Sequence, residues 1–129
     1  MRVVKVSEAT GSVLDWMVAK CMGFSYEAYE SSRKKWKDGT YRPAHWMPST
    51  DWAQGGPIIE REQIAAWFHT DYGCWCAAGI DWMNADVLSD TFMEMPDASR
   101  GPTPLIAAMR CYVSSKLGDE VEVPDGLTS

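Results

Sequence analysis

Two segments with the 3.6-residue periodicity of amphipathic helices constrain the fold of this chain most. In the first, Ser12 and Asp15 have the spacing of a capping box, which predicts a helix start. Gly23 supplies a C-terminal stop signal. Four apolar residues between these signals share one helix face: Leu14, Met17, Val18 and Cys21.

The second helical segment has equally clear ends. Thr103 is an N-cap residue, and Pro104 follows at the first helical position, where a missing N–H costs nothing. Gly118 ends the segment. Its predicted buried stripe consists of Leu105, Ile106, Met109, Tyr112, Val113 and Leu117.

Short strands account for much of the rest. Val3–Val6 reads as an N-terminal strand, Val121 and Val123 share one face of a final strand, and "IAAWFHTDYGCWCAAGID" predicts a hairpin that turns at Asp71-Tyr72-Gly73. Weaker patterns favour a helix around Tyr26–Trp36 and a strand around Thr91–Met95.

These elements predict an α+β fold in which a small antiparallel or mixed sheet packs with two amphipathic helices, like an α-β-α sandwich. We expect one domain over residues 1–124 and a flexible tail over residues 125–129.

Charge and hydropathy narrow the classes of function. The chain carries 12 basic and 18 acidic side chains, a net charge of −6, so it lacks the basic surface that tracks nucleic-acid polymers. It shows neither a signal-peptide core nor an apolar run of about 18 residues. We therefore expect a cytosolic protein whose four cysteines are thiols.

The stretch "PSTDWAQGGPIIERE", residues 48–62, reads either as an ordered turn that orients Trp52 into the core or as a binding loop. In the second interpretation, Gly55 or Gly56 takes positive φ, and the Gly-Gly pair exposes consecutive N–H groups to an anion. Asp51 would bond local backbone N–H groups. Trp52 and Arg61 would flank a shallow pocket. The absence of a GxxxxGK pattern argues against ATP hydrolysis.

Tryptophan is abundant, with seven in 129 residues. Arg42 lies near Trp46 in sequence and Arg61 near Trp52, combinations that suit stacking on a base and pairing with its phosphates. The alternative is that these rings fill core gaps or a dimer interface.

A second anion site is predicted where Arg100 precedes the helix start at Thr103. Simple capping is the alternative. If the Gly55-Gly56 loop and the Arg100–Thr103 loop face the same side of the sheet, they could contact one ligand from two sides. The candidate ligand-binding residues are Arg42, Trp46, Thr50, Trp52, Gly55, Gly56, Arg61, Arg100 and Thr103.

Metal and catalytic signals are weak. Cys74 and Cys76 share a strand face, and His45 and His69 lie elsewhere, but no second C-x₂₋₄-C pair completes a zinc pattern. His69 stands near Asp71, yet no G-x-S-x-G elbow presents a nucleophile. We predict packed thiols, no metal, no cofactor and no catalytic residue.

Three segments, "GSVLDWMVAKCMG", "PSTDWAQGGPIIERE" and "GPTPLIAAMRCYVSSKLGDEVEVP", together resemble the NinX-like family of small tailed-phage proteins, which is related to the phage ABA sandwich domain. They occur in the expected order over nearly the whole chain. The resemblance implies a helix–sheet–helix sandwich, expression inside an infected bacterium and a place among non-essential accessory genes. It carries no known catalytic site, so it assigns no functional residue.

The leading hypothesis is a non-enzymatic phage accessory protein that counters a host defence by sequestering a small nucleotide-like signal in the bacterial cytoplasm. The alternative is a protein-binding module that inhibits a host or phage protein through an aromatic patch. A third is a hydrolase whose site the sequence does not reveal. A homodimer is compatible with each hypothesis.

Overall fold

The structure is a computed structural model that describes residues 1–23, 46–79 and 98–127. In chain order, its elements are β1 (Arg2–Lys5), a 3₁₀ turn (Val6–Glu8), α1 (Gly11–Cys21), α2 (Trp52–Glu62), β2 (Ala65–His69), β3 (Cys74–Ala78), β4 (Ser99–Gly101), α3 (Pro104–Leu117) and β5 (Glu120–Val123). The helix predicted around Tyr26–Trp36 and the strand predicted around Thr91–Met95 lie outside the described residues.

The strands form two small antiparallel sheets. β1 pairs with β5, with Val4 opposite Val121, and the second sheet has the order β2-β3-β4. The predicted hairpin turn is confirmed, since β2 and β3 flank it and Gly73 takes a φ of +66° there. The predicted α+β class is confirmed as well.

Helix α3 is the centre of the packing. It contacts α1, α2 and strands of both sheets, so most of the described core forms around it. Of the ten apolar residues predicted on these two helix faces, eight are buried and two, Cys21 and Leu117, are half-buried. The buried eight are Leu14, Met17, Val18, Leu105, Ile106, Met109, Tyr112 and Val113. The predicted cap of α3 is also confirmed, because Thr103 Oγ1 accepts a hydrogen bond from Ile106 N at 3.1 Å. None of the described helices has the length and apolarity to cross a membrane.

Asp15 does not serve as the carboxylate of a capping box, so that prediction is wrong. The N-cap of α1 is Thr10, and its side chain makes no capping bond. Asp15 is buried, and its Oδ1 accepts a hydrogen bond from Ser49 N at 2.9 Å. The indole Nε1 of Trp46 donates to the Asp15 carbonyl at 2.9 Å. Asp15 therefore fastens the segment before α2 to the side of α1.

The stretch 48–62 contains a helix rather than a glycine turn. Asp51 begins α2, since its Oδ1 accepts from Ala53 N at 2.9 Å, as predicted for that side chain. Neither Gly55 nor Gly56 has positive φ, so the predicted anion-binding nest is wrong. Pro57 lies inside the helix and removes one donor, which would have bonded the exposed Ala53.

Close packing explains why a helix forms here despite two glycines. A Cβ at Gly55 would lie 2.3 Å from the carbonyl oxygen of Pro48 and 2.6 Å from Leu105 Cδ1. Only glycine therefore lets α2 approach the start of α3 this closely. Gly56 faces open space, because a Cβ there meets nothing within 4 Å.

The chain after β5 lies along β1. The guanidinium of Arg2 donates to the carbonyls of Pro124 at 2.9 Å, of Asp125 at 3.0 Å and of Leu127. The division into a domain over residues 1–124 and a flexible tail stays a prediction.

The two glycines of α2 provide a matched pair of substitutions. We expect Gly55→Ala to lower the free energy of unfolding by about 1–3 kcal/mol, because the added methyl overpacks a filled site. Gly56→Ala should leave stability unchanged or raise it by up to about 1 kcal/mol, since alanine favours a helix. Urea unfolding of both variants measures the difference, and equal effects would contradict the described packing.

Asp15 should make stability depend on pH. Burial raises the pKa of its carboxyl above the ordinary value of 3.8, and Ser49, whose N–H donates to this carboxyl, opposes that rise only in part. Because the folded state holds this proton more tightly than the unfolded state, stability falls as pH rises from 3.8 through the raised pKa. Asp15→Asn keeps the acceptor for Ser49 N and removes the charge. The stability of Asp15→Asn relative to the parent should rise as pH increases from 3.8 to the raised pKa of Asp15, and should then level off. A difference independent of pH would contradict this account.

Candidate functional site

A cleft of about 880 Å³ lies between the two sheets, with α3 as its floor. Its walls come from the end of β1, the start of β5, the hairpin turn after β2, and β4. Three basic and two acidic side chains line it: Lys5, Arg100, Arg110, Asp119 and Glu120. The balance is thus locally basic in a chain whose net charge is −6.

Gly101 brings β4 against α3. A Cβ at this position would lie 2.8 Å from Ala107 N and 3.0 Å from Ile106 Cγ2, so a larger residue would push the strand away. The close approach places the carbonyl of Arg100 beside Arg110, whose Nη1 donates to it at 2.7 Å. Packing of the strand on the helix therefore sets the position of a charged group in the cleft.

Arg110 is the most informative residue of the cleft. It is only 8% exposed, and its Nε donates to the carbonyl of Ala9 at 3.0 Å. Together with the bond to Arg100, this holds the guanidinium from two sides. A guanidinium has five N–H donors, and two of them bond these carbonyls among the described residues. Arg110 also lines the cleft.

No carboxylate of the described residues forms an ion pair with Arg110. Burial lowers the pKa of the guanidinium, as expected for a charge removed from water. Arginine nevertheless keeps its proton in proteins, so the positive charge persists. A buried, fixed cation without an anionic partner is a group that favours binding of an anion.

The charged side chains of the cleft differ between its two walls. Lys5 and Glu120 are cross-strand partners in the two-stranded sheet, so their opposite charges leave the sheet on the same face. Asp119 precedes Glu120 on the same wall. Arg100 and Arg110 lie toward the other sheet. The basic centre of the cleft is therefore the pair Arg100 and Arg110.

Of the predicted ligand-binding residues, Arg100 lines this cleft. Thr103 caps α3, with its hydroxyl oxygen bonded to Ile106 N. Gly55 packs on Leu105, two residues beyond Thr103, so the two predicted loops do approach each other. They meet through helix packing, and the predicted glycine nest between them is absent. Gly56 faces open space on the same helix.

Trp46 and Thr50 belong to the segment before α2. Trp46 is half-buried against the core and donates to the Asp15 carbonyl, so its indole helps to hold the fold. Thr50 is exposed in a turn, and its N–H bonds the carbonyl of Met47 at 3.1 Å. Stacking of a base on Trp46 stays a prediction. Arg42 lies outside the described residues.

Trp52 and Arg61 do not flank a common pocket. Trp52 is 56% exposed at the first position of α2, so the interpretation that it turns into the core is wrong. Arg61 Nε donates to Glu62 Oε2 at 2.9 Å, and its Nη2 donates to Tyr112 Oη at 3.3 Å. Nine residues along a helix place two side chains on opposite sides and roughly 13 Å apart along the axis.

The four cysteines are free thiols, as predicted. Burial raises the pKa of Cys21 to about 12 and that of Cys111 to about 11, so both are protonated at neutral pH. Cys74 and Cys76 are two residues apart in β3, so their side chains lie on the same face of the sheet. His69 lies on that face as well, because it pairs with Cys74 across the hairpin. Within residues 1–23, 46–79 and 98–127, no group of three or more histidine, cysteine or acidic side chains is placed to hold a metal ion.

The sequence interpretation missed Arg110, although a signal was present. Arg110 lies within the apolar run "LIAAMRCYV", four residues after Ile106 and three before Val113. It therefore falls on the buried stripe of α3, where a charged side chain is rare unless it has a specific role. A charge on the core face of a helix predicts either a buried ion pair or a binding site.

Comparison with known proteins agrees with the sequence resemblance. The family model described as "Bacteriophage P22, NinX" matches residues 5–116. The matched range contains α1, α2, all but the last residue of α3, and both basic residues at the centre of the cleft. The comparison with curated proteins found no match. Because the family match covers most of the chain, this protein belongs to the NinX family of phage accessory proteins.

Proposed function

We propose that this phage accessory protein binds and sequesters a small nucleotide-like anion in the cleft between its two sheets. The observation that carries the proposal is the guanidinium of Arg110, which is buried, fixed by two carbonyls and without a carboxylate partner among the described residues.

Energetics support an anionic ligand. Removing a charge from water without an opposite charge costs several kcal/mol in proteins, and a bound phosphate would offset that cost. The guanidinium presents several N–H donors in one plane, a geometry that matches two phosphate oxygens. Arg100 adds a second guanidinium along the same side of the cleft.

The size of the cleft also fits. Its volume of about 880 Å³ lies within the range of small-molecule sites, roughly 300–1,000 Å³. A net charge of −6 disfavours long nucleic acids, while the local basic pair still attracts a single small anion.

Sequestration for counter-defence rests on the phage family and on the absence from the sequence of the phosphate-loop and nucleophile-elbow motifs considered above. A phage gains from a protein that lowers the free concentration of a host alarm nucleotide. This part of the proposal is an inference from biological context rather than from the chemistry of the cleft.

The second candidate is a protein-binding module, and the exposed start of α2 favours it. Trp52 is 56% exposed and Met47 is 41% exposed, and tryptophan and methionine are enriched in protein interfaces. In that case the exposed surface around Trp52, rather than the cleft, would carry the function.

A thermal unfolding screen with linear and cyclic nucleotides separates these functions. A ligand at 100 times its Kd should stabilise the protein by about 2.7 kcal/mol. Recovery of the intact nucleotide after heating the complex indicates sequestration, whereas a changed compound indicates an enzyme. Absence of any shift, together with co-purification of a host protein lost on Trp52→Ala, would support the second candidate.

Arg110→Met tests the central residue. We expect it to weaken nucleotide binding at least tenfold, because the fixed positive charge is gone. Stability should change little, since loss of two charged hydrogen bonds is offset by removal of an uncompensated buried charge. Calorimetric titration and urea unfolding measure the two effects separately.

Arg61→Met is the matched control, because it removes an arginine on α2 whose described partners are Glu62 and Tyr112. This variant should bind the nucleotide as the parent does. If Arg61→Met loses binding and Arg110→Met retains it, the ligand site lies on α2 and the cleft assignment is wrong.

A further inference from the structure

Three planar groups stack in a row beside the cleft. The rings of His69 and Tyr72 lie 3.9 Å apart between centroids and are nearly parallel, with an interplanar angle of 14°. Arg100 Cζ lies 4.0 Å from the centroid of Tyr72. We call His69, Tyr72 and Arg100 the stacked row.

The inner end of the row is fixed. His69 is only 5% exposed, and its Nδ1 accepts a hydrogen bond from Tyr72 N at 3.3 Å. The carbonyl of His69 accepts from Gly73 N at 2.9 Å, which closes the hairpin turn. The turn and the buried imidazole therefore hold the ring of Tyr72 in place.

The outer end of the row is open to solvent. Arg100 is exposed, and no carboxylate of the described residues forms an ion pair with it. Tyr72 covers one face of its guanidinium. Because Arg100 is exposed although Tyr72 lies against one side of it, we take the opposite side to face solvent. Arg100, Gly73 and Cys74 all line the cleft.

A planar cation with one covered face and one open face is suited to stack on another flat ring. Guanidinium planes stack on aromatic faces, and nucleobases stack on aromatic or arginine planes in many binding proteins. The neighbouring Arg110 supplies N–H donors at the floor of the cleft. Its Nη1 donates to the backbone carbonyl of Arg100, which links the two arginines. The cleft thus offers a stacking surface beside an anion-binding group.

We propose that the open face of Arg100, supported by Tyr72 and His69, is the stacking surface for the base of the ligand, while Arg110 holds its phosphate. This inference rests on the proposed function and deepens it: the ligand class is a nucleotide with both a planar base and a phosphate. An inorganic anion would use Arg110 and leave the stacked row unused.

Calorimetric titration with inorganic pyrophosphate and with adenosine, guanosine, cytidine and uridine 5′-diphosphates tests this assignment on the full chain. We expect at least one nucleoside diphosphate to bind at least fivefold more tightly than pyrophosphate, near the lower end of what one stacked base contributes.

Arg100→Lys keeps the positive charge and removes the planar guanidinium group. We expect the affinity of this variant for the nucleotide to fall to within about twofold of its affinity for pyrophosphate. The affinity for pyrophosphate itself should change by less than about threefold. Arg61→Lys is the control, because Arg61 lies 5.8 Å from the Tyr112 ring and does not line the cleft. This control should preserve the preference for the nucleotide.

The possible results separate the two proposals. Binding of pyrophosphate without any preference for a nucleoside diphosphate overturns the stacking assignment and leaves anion binding in place. An equal loss of both ligands in Arg100→Lys also overturns it, because Arg100 would then act through its in-plane donors. If the parent protein binds neither pyrophosphate nor any nucleotide, the proposed function and this inference both fail.

Discussion

The clamp on Arg110, which consists of its two hydrogen bonds to backbone carbonyls, bridges three parts of this fold. Its Nε bonds the carbonyl of Ala9, just before α1, and its Nη1 bonds the carbonyl of Arg100 in β4. One side chain of α3 thereby ties the N-terminal segment and the three-stranded sheet to the central helix. The cleft lies where these three parts meet.

The same clamp carries an electrostatic cost. A guanidinium that is 8% exposed and bonded to neutral carbonyls is stabilised less than one in an ion pair. A purely structural role would be served as well by an apolar side chain of similar size. The fold tolerates the charge at the floor of a cleft, where a bound anion would supply the missing partner. Under the proposed function, the buried charge of Arg110 lowers the stability of the free protein and serves to bind an anion.

Local signals predicted much of the fold from sequence. Gly23 and Gly73 take positive φ at the end of α1 and in the hairpin turn, and the hydroxyl of Thr103 caps the start of α3. These signals do not depend on distant residues. Helix α2 was missed because Gly-Gly-Pro favours a turn by local propensity. Its helical form depends on the contact of Gly55 with Pro48 and Leu105, which only the tertiary structure reveals.

The candidate site was predicted less completely for a related reason. Arg100 was found by an argument about a helix N-terminus, but it lines the cleft from β4 and stacks on Tyr72. Arg110 carries a visible sequence signal, yet its importance depends on which groups surround it. A sequence shows that a charge falls on a buried helix face, whereas the structure shows whether a described carboxylate pairs with it.

NMR of the arginine side chains tests the central claim most directly. The Nε–Hε signal of Arg110, assigned by its loss on substitution, should exchange slowly with water, because that group is buried and bonded to Ala9. On titration with pyrophosphate, the Nη signals of Arg110 should shift and saturate together with the thermal stabilisation of the protein. Unchanged Arg110 signals at a pyrophosphate concentration that stabilises the protein would show that the anion binds elsewhere, and would contradict the account.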